Sequence, residues 1–259
     1  MNYTLFGFLL AGSLFFGMLI VIEVGRRIGV RRRAEDPEGG RAGFGTIEGA
    51  VLALLGLLLA FTVSGAGARL DARRHLIIEE TNAIGTAYLR LDILPGAAQP
   101  ALRENFRRYV DARLEVYRKH PDIAAATDEL ARGATLQGEI WRQAITSVRA
   151  DGAPPQAPMV LLPPLNAMID ITTTRTMAAQ MHPPVIIFVM LFALALVSAL
   201  LSGYAMAGNE SRSWLHILCF ALIISVTVYV ILDLEYPRVG LIREDAFDQS
   251  LVDLRETMR

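Results

Sequence analysis

Ionisable and hydroxyl side chains lie at the ends of long apolar segments of this sequence, where they could attract or select ions. Five of them flank or end the second apolar segment: Glu48, Thr62, Ser64, Arg69 and Arg73. Carboxylate, hydroxyl and guanidinium groups at such positions can form a charged vestibule or a selectivity ring, so these five are candidate pore residues. Glu48 also has a purely structural interpretation, because the helix macrodipole stabilises a carboxylate at a helix N-terminus.

A second group of charges is expected at a membrane surface. Its members are Asp71, Arg74, Asp233, Glu235 and Arg238. Asp233 and Glu235 follow an apolar helix, and the macrodipole disfavours a carboxylate at a helix C-terminus, so both need cationic partners. Two interpretations stay open for this charged surface cluster: a structural ring of salt bridges, or a vestibule for ions.

The residue patterns of catalysis and of metal binding are absent from the sequence. No glycine-rich phosphate loop follows a predicted strand, and no serine lies in a nucleophile elbow. The histidines are far apart, and the single cysteine, Cys219, lies in an apolar segment, so we expect no metal site and no disulfide. A net charge of -1 gives no basis for nucleic-acid binding. We therefore expect neither enzyme activity nor a cofactor.

Four apolar runs without Asp, Glu, Lys or Arg are long enough to cross a membrane as helices, which takes about 20 residues. They cover residues 2–22, 49–68, 183–207 and 213–232. The hydrophobic content of 53% and the mean hydropathy of +0.39 agree with a membrane protein. The prediction is an all-α integral membrane protein in which two pairs of transmembrane helices flank a helical extramembrane domain.

This prediction divides the chain into four parts. Residues 1–68 form the first pair of transmembrane helices with an arginine-rich loop, and residues 69–182 form the extramembrane domain. Residues 183–237 form the second pair, and residues 238–259 form a tail in which Phe247, Leu251, Leu254 and Met258 have the spacing of a short amphipathic helix.

The distribution of arginine predicts an orientation in the cell (inner) membrane. The first loop, residues 26–46, is the richest in arginine, whereas the loop between the third and fourth segments holds only Arg212. The positive-inside rule places the first loop in the cytoplasm. The middle domain and both termini would then lie outside.

The second apolar segment is expected to continue into the extramembrane domain as one long helix. No proline lies between Pro37 and Pro95. Beyond the membrane, apolar residues recur every seven positions and predict a helical seam, which consists of Leu70, Ile77, Ile84 and Leu91.

The third apolar segment carries small residues every four positions: Ala195, Ala199, Gly203 and Ala207. A face of small residues lets two helices approach closely in lipid. The partner helix can belong to the same chain or to a neighbouring subunit, and the sequence leaves both interpretations open.

Four stretches of the sequence resemble the uncharacterised bestrophin-like domain family. They are LLGLLLAFTVS (54–64), RLDARR (69–74), EETNAIGTAYLRLD (79–92) and LDLEYPRVGLIR (232–243). The resemblance covers nearly the whole chain. It implies a distant likeness to the bestrophins, which are pentameric anion channels, and hence a homo-oligomer with a pentamer as its model.

These observations predict a homo-oligomeric ion channel with the second helix lining the pore. The expected partners are membrane lipids, other copies of the chain and small ions. Residues 51–61 are so apolar that a pore there would need hydrophobic gating. The alternative is a non-conducting sensor or scaffold whose helical extramembrane domain binds a partner.

Overall fold

The computed structural model describes residues 3–35, 44–119, 123–208, 213–238, 240–242 and 245–258. In these ranges the regular structure is entirely helical. The α-helices are α1 (Tyr3–Glu35), α2 (Phe44–Leu89), α3 (Gln99–Arg118), α4 (Ile123–Val148), α5 (Ala157–Gln180), α6 (Val185–Ala205), α7 (Trp214–Glu235) and α8 (Asp245–Thr257). Short 3₁₀ turns follow α2 and α6.

The predicted all-α membrane protein is confirmed in its helical content and in its four candidate membrane-crossing helices. These lie on α1, α2, α6 and α7, and each is long and apolar enough to cross a bilayer. The chain divides into two compact units. The first unit contains residues 1–68 and 182–236, and the second contains residues 69–181 and 237–259.

In the first unit, α1 packs along α6 and α7. Leu14, Met18 and Ile22 of α1 are buried in one apolar cluster with residues of α6 and α7. The outward side of α1 is apolar as well, since Leu9, Phe16 and Ile20 are each more than 60% exposed. A helix with apolar residues on both its packed and its exposed side is suited to a lipid environment.

Glycine permits close contact between α1 and α6. A Cβ atom at Gly203 would overlap the carbonyl group of Ile22, and one at Gly25 would overlap the carbonyl group of Leu200. The backbones of the two helices therefore meet at both positions. Such contacts are typical of helix packing in membranes, where small residues form the interface.

The prediction of a loop over residues 26–46 is wrong at both ends, because α1 remains helical to Glu35 and α2 begins at Phe44. Arginine is a good helix former, and Glu23 pairs with Arg26 and Arg27 at 3.2 and 2.9 Å across one helical turn. Residues 36–43, which include Arg41, lie outside the described residues.

The second unit is built from the second half of α2 together with α3, α4, α5 and α8. The predicted seam is confirmed, since the exposure of Leu70, Ile77, Ile84 and Leu91 is 4% or less. Ile84 and Leu91 belong to a large apolar cluster whose bulkiest buried members are Phe106 and Tyr109 of α3.

Helix α5 contains two internal prolines, Pro163 and Pro164. Proline lacks the amide hydrogen that would bond the carbonyl group four residues earlier. Arg90 supplies the missing donor for one of these carbonyls, because its Nη1 lies 2.7 Å from the oxygen of Val160. The helix therefore continues through the prolines and begins at Ala157, with Pro158 in its first turn.

The C-terminal tail contains the predicted amphipathic helix, α8. Leu251 and Met258 are buried in the core of the second unit. Arg255 donates two hydrogen bonds to Asp111 of α3, at 2.7 and 3.1 Å, and Ser250 lies 3.0 Å from the hydroxyl of Thr81. The helix is therefore held by polar as well as apolar contacts.

Candidate pore-lining helix and its charged ends

Helix α2 has one packed stripe in the membrane-spanning part of the first unit. Leu55, Leu59, Thr62 and Ala66 are all less than 10% exposed. Their spacing of three or four residues places them on one face of a helix. This stripe is the face that contacts the rest of the protomer.

The opposite face of α2 is uncovered. Leu57 is 54% exposed and Phe61 is 69% exposed. A Cβ atom at Gly45, Gly49 or Gly56 would have no heavy atom within 4 Å beyond its own chain surroundings. Among the described residues, nothing packs on these positions. The uncovered face is apolar and rich in small residues, so it suits a neighbouring helix or a narrow, poorly wetted pore.

The two hydroxyl candidates lie on different faces of α2. Ser64 is exposed and belongs to the uncovered face. Thr62 is 7% exposed, and its Oγ1 donates to the carbonyl oxygen of Leu58 at 2.6 Å. A hydroxyl that bonds its own helix in this way is satisfied without water or an ion. Thr62 and Ser64 therefore cannot serve the same surface.

Glu48 lies in the second turn of α2 and contacts α6. The hydroxyl of Ser202 donates to its Oε1 at 2.9 Å. Glu48 is partly exposed, so one side of the carboxylate remains accessible. This hydrogen bond gives the carboxylate a polar partner in the protomer, whereas the helix dipole acts mainly on the first turn, which precedes Glu48.

The two arginine candidates differ in exposure. Arg69 is partly exposed. Arg73 is 8% exposed and caps the C-terminal end of α5, because its Nε donates to the oxygen of Ala178 at 3.2 Å and its Nη2 donates to that of Met181 at 2.8 Å. A cation in this place compensates the negative end of the helix dipole.

The charged surface cluster contains local pairs in each unit. In the second unit, exposed Asp71 lies 3.5 Å from Arg74, whose guanidinium is 5.2 Å from the ring of Phe247. In the same unit, Arg238 donates to both oxygens of Asp248 at 2.9 and 3.3 Å.

The carboxylates of α7 in the cluster belong to the first unit and are buried. Asp233 is 6% exposed and accepts a hydrogen bond of 3.4 Å from Tyr229. Glu235 is 1% exposed and lies 3.5 Å from Nδ1 of His182, whose ring stacks on Tyr236. Buried carboxylates persist only with such polar partners.

The small residues of α6 face α1. Ala195, Ala199 and Gly203 are buried, and Ala207 lies next to Gly29 of α1. In this structure the small-residue face is occupied by a helix of the same chain.

The second unit contains a buried charge network that the sequence patterns do not predict. Glu80 is fully buried, and its Oε1 accepts a hydrogen bond of 2.5 Å from Nε of Arg113. Arg175 also bonds Glu80, and the hydroxyl of Tyr117 lies 3.3 Å from the carboxylate. The partners are 33, 37 and 95 residues away, so local spacing gives no sign of them. The available signal was the position of Glu80 inside the apolar seam, between Ile77 and Ile84.

Electrostatics explains why this carboxylate stays charged. Burial by itself raises the pKa of Glu80, but Arg113 and Arg175 outweigh it, so the pKa is lowered. Burial, followed by the charge of Glu80, raises the pKa of the Tyr117 hydroxyl. Three guanidinium groups surround the Tyr117 ring, those of Arg113, Arg175 and Arg238, at 4.3 to 5.7 Å from its centroid.

Comparison with known proteins identifies relatives of this arrangement. The family model described as the Bestrophin-like domain matches residues 5–243. No curated protein matches the chain at a significant level. Among solved structures, a bacterial Bestrophin homologue from Klebsiella pneumoniae is similar in two of its single-residue variants, both at 15% identity. The first has a TM-score of 0.66 over 95% of this chain and 99% of that chain, and the second has 0.65 over 93% and 98%.

A further structure, described as a membrane protein variant, gives a TM-score of 0.60 at 16% identity, over 94% of this chain and 98% of that chain. At this level of identity the structural likeness shows a shared fold. The family model covers most of the sequence, and the quoted motifs lie inside its range. The chain therefore belongs to the Bestrophin-like domain family.

Proposed function

We propose that this chain is the subunit of a homo-oligomeric ion channel in which α2 lines the pore. The observation that carries this proposal is the uncovered face of α2, which lies opposite the packed stripe through the membrane-spanning part of the helix. A pore on a symmetry axis needs one helix per subunit with a face that its own protomer leaves free. Membership of a family that is named for its likeness to channel proteins supports the same function.

The pore of this proposal is gated by an apolar constriction. Large apolar side chains are exposed on this part of α2 at Leu54, Leu57 and Phe61. The exposed Ser64 follows Phe61 by one turn. Apolar constrictions close a pore to ions by excluding water. Ser64 is the first polar group beyond the constriction. Arg69 and the partly exposed Glu48 remain candidates for the two ends, although Glu48 bonds α6 on the packed side. Thr62 and Arg73 support the helix from that side.

The experiment is a current recording from the purified chain in planar bilayers, with one variant inside the proposed pore and one outside. Phe61→Ser places a hydroxyl on the uncovered face of α2 and should increase the open probability or the conductance. Phe16→Ser is the matched control, because Phe16 is 64% exposed on α1 and Phe61 is 69% exposed. It should leave the currents unchanged.

Either of two results would contradict the proposal. A folded oligomer that gives no current under varied pH and voltage would favour the non-conducting sensor or scaffold. Equal effects of the two phenylalanine substitutions would show that α2 has no special position at the pore.

The proposed orientation follows from the positive-inside rule. The helical extension of α1 with its arginines lies in the cytoplasm, and the second unit and the termini lie outside. The chain is placed in the cell (inner) membrane. Labelling of an extramembrane cysteine tests this orientation independently of conduction.

A further inference from the structure

Helix α1 leaves the membrane as a basic helix. Its uncharged stretch ends at Ile22, and the helix continues from Glu23 to Glu35. These 13 residues extend roughly 20 Å, at 1.5 Å per residue. The charged end of α1 therefore begins at the depth of the lipid headgroups.

One stripe of this extension combines aliphatic and guanidinium side chains. Val24 and Ile28 are 44% and 45% exposed, the side chain of Arg27 is 73% exposed, and Arg31 is exposed as well. The four positions follow the i, i+3, i+4, i+7 pattern and lie on one face of the helix. We call this face the basic stripe.

The direction of the side chains brings the basic stripe toward the bilayer. In an α-helix each Cα–Cβ bond tilts toward the N-terminus. The N-terminal part of α1 is the part inside the membrane, so the arginine side chains lean back to the headgroups. Val24 and Ile28 can then contact the upper acyl chains while the guanidinium groups stay in the polar layer.

The arginines of the extension have few counter-charges among the residues that the structure describes. Arg26 and Arg27 share the single carboxylate of Glu23. In the described part of the chain, neither Arg31 nor Arg32 forms an ion pair. Arg33 has a separate role, because its Nη2 donates to the carbonyl oxygen of Ala205 at the end of α6. The extension holds five arginines against two carboxylates, Glu23 and Glu35, so a surplus of positive charge remains among its described residues.

We propose that the basic stripe, formed by Val24, Arg27, Ile28 and Arg31, binds the headgroup of an anionic phospholipid. The planar guanidinium fork matches phosphate oxygens and can bind them through two hydrogen bonds. Arginines next to a membrane helix attract anionic lipids, and each contributes a roughly fivefold preference when it lies near the surface. The site does not depend on whether the protein conducts, nor on which surface faces the cytoplasm.

Compensation of the helix dipole does not explain the whole stripe. That effect is confined to the last turn, where Arg32 and Arg33 lie. Arg27 is two turns from the end of α1. Of the two arginines that pair with Glu23, it has the more exposed side chain. Arg27 shares the carboxylate of Glu23 with Arg26, and lipid binding accounts for the part of its guanidinium that stays exposed.

The first test is native mass spectrometry of the full-length protein with equal amounts of dioleoyl phosphatidylglycerol and dioleoyl phosphatidylcholine. We expect the wild type to retain phosphatidylglycerol with at least fivefold preference. Arg27→Gln with Arg31→Gln should reduce the preference at least fivefold, while Arg27→Lys with Arg31→Lys keeps part of it. The matched control is Arg142→Gln with Arg149→Gln. It removes two exposed arginines in and just after the last part of α4, and it should keep the full preference.

A second measurement avoids any variant that fails to fold. The melting temperature of the wild type should rise more with phosphatidylglycerol than with phosphatidylcholine at 0.1 M NaCl, because a bound ligand stabilises the folded state. At 1 M NaCl the difference should disappear, since the Debye length falls to about 3 Å. A preference that survives 1 M salt, or that the control pair loses equally, would overturn the proposed site.

Discussion

Glu80 of α2 and Arg113 of α3 form an ion pair that is almost completely shielded from solvent. Their side chains are 0% and 3% exposed, and Nε of Arg113 lies 2.5 Å from Oε1 of Glu80. Arg175 of α5 joins the same carboxylate from a third helix. One buried side chain thus connects three helices of the second unit.

Replacement of this carboxylate should destabilise the second unit strongly. Glu80→Gln leaves Arg113 and Arg175 buried without their counter-charge, and the loss of one partner of a buried pair costs about 3 to 5 kcal/mol. The free energy of unfolding in detergent measures the effect. The neighbouring Glu79→Gln is the control. Its carboxylate is 48% exposed and pairs with His75 at the surface, so the change should stay below about 1 kcal/mol. An equal loss of unfolding free energy in the two variants would contradict the role of Glu80 as a buried partner of the two arginines.

The same carboxylate should make stability depend on acid pH. Its pKa is lowered in the folded protein below the ordinary value of 4.5, because the two arginines outweigh the effect of burial. The folded state then binds fewer protons than the unfolded chain, so the contribution is complete above pH 4.5 and is lost as pH falls through the lowered pKa. Unfolding curves between pH 7 and pH 3 test this for wild type and Glu80→Gln. A wild-type stability that falls no more steeply with acid than that of the variant would show that Glu80 titrates normally.

The contact between α1 and α6 should reject even one additional methyl group. Gly203→Ala forces the new Cβ against the carbonyl of Ile22, and overpacking of this kind costs about 1 to 3 kcal/mol. Gly12→Ala is the control on α1, where the space around the Cβ is open. Alanine is a better helix former than glycine, so this variant should be neutral or slightly more stable. Thermal unfolding of the two variants compares them directly, and a Gly203→Ala protein as stable as wild type would refute the close contact.

The proposed orientation predicts the side from which the second unit can be labelled. Ala97 lies in the exposed connection before α3, so Ala97→Cys presents a reactive thiol. The native Cys219, which is exposed on α7, is first changed to Ser to remove background labelling. A membrane-impermeant maleimide should modify this thiol in intact cells. Modification only after the membrane is opened would reverse the orientation and place the second unit in the cytoplasm.

The elements set by repeating apolar patterns were the ones that the sequence predicted well. Leu70, Ile77, Ile84 and Leu91 mark a buried stripe by their spacing alone, and the four apolar runs mark membrane helices by length. These signals are local, so one stretch of chain contains all of the information. The end of α1 was harder to predict, because an arginine cluster is typical of a loop and its pairing with Glu23 becomes visible only in a helix.

The polar sites could not be predicted in the same way. Glu80 depends on Arg113 and Arg175, which are distant in sequence and come together only when α3 and α5 pack on α2. The bond from Arg90 to Val160, which supplies a donor that the internal prolines of α5 lack, joins residues 70 positions apart. Thr62 and Ser64 are chemically similar, and only the burial of one face of α2 separates them.

The glycine contact between α1 and α6 also fixes which movements the first unit can make. The neighbouring residues on the same face are Ala199 in α6 and Ala207 just after it, so a shift of α6 along α1 by four residues, about 6 Å, would bring a methyl group against the carbonyl of Ile22. Gly25 on α1 imposes the same restriction from the other side, against Leu200. The two glycine contacts therefore hold α1 and α6 in one register.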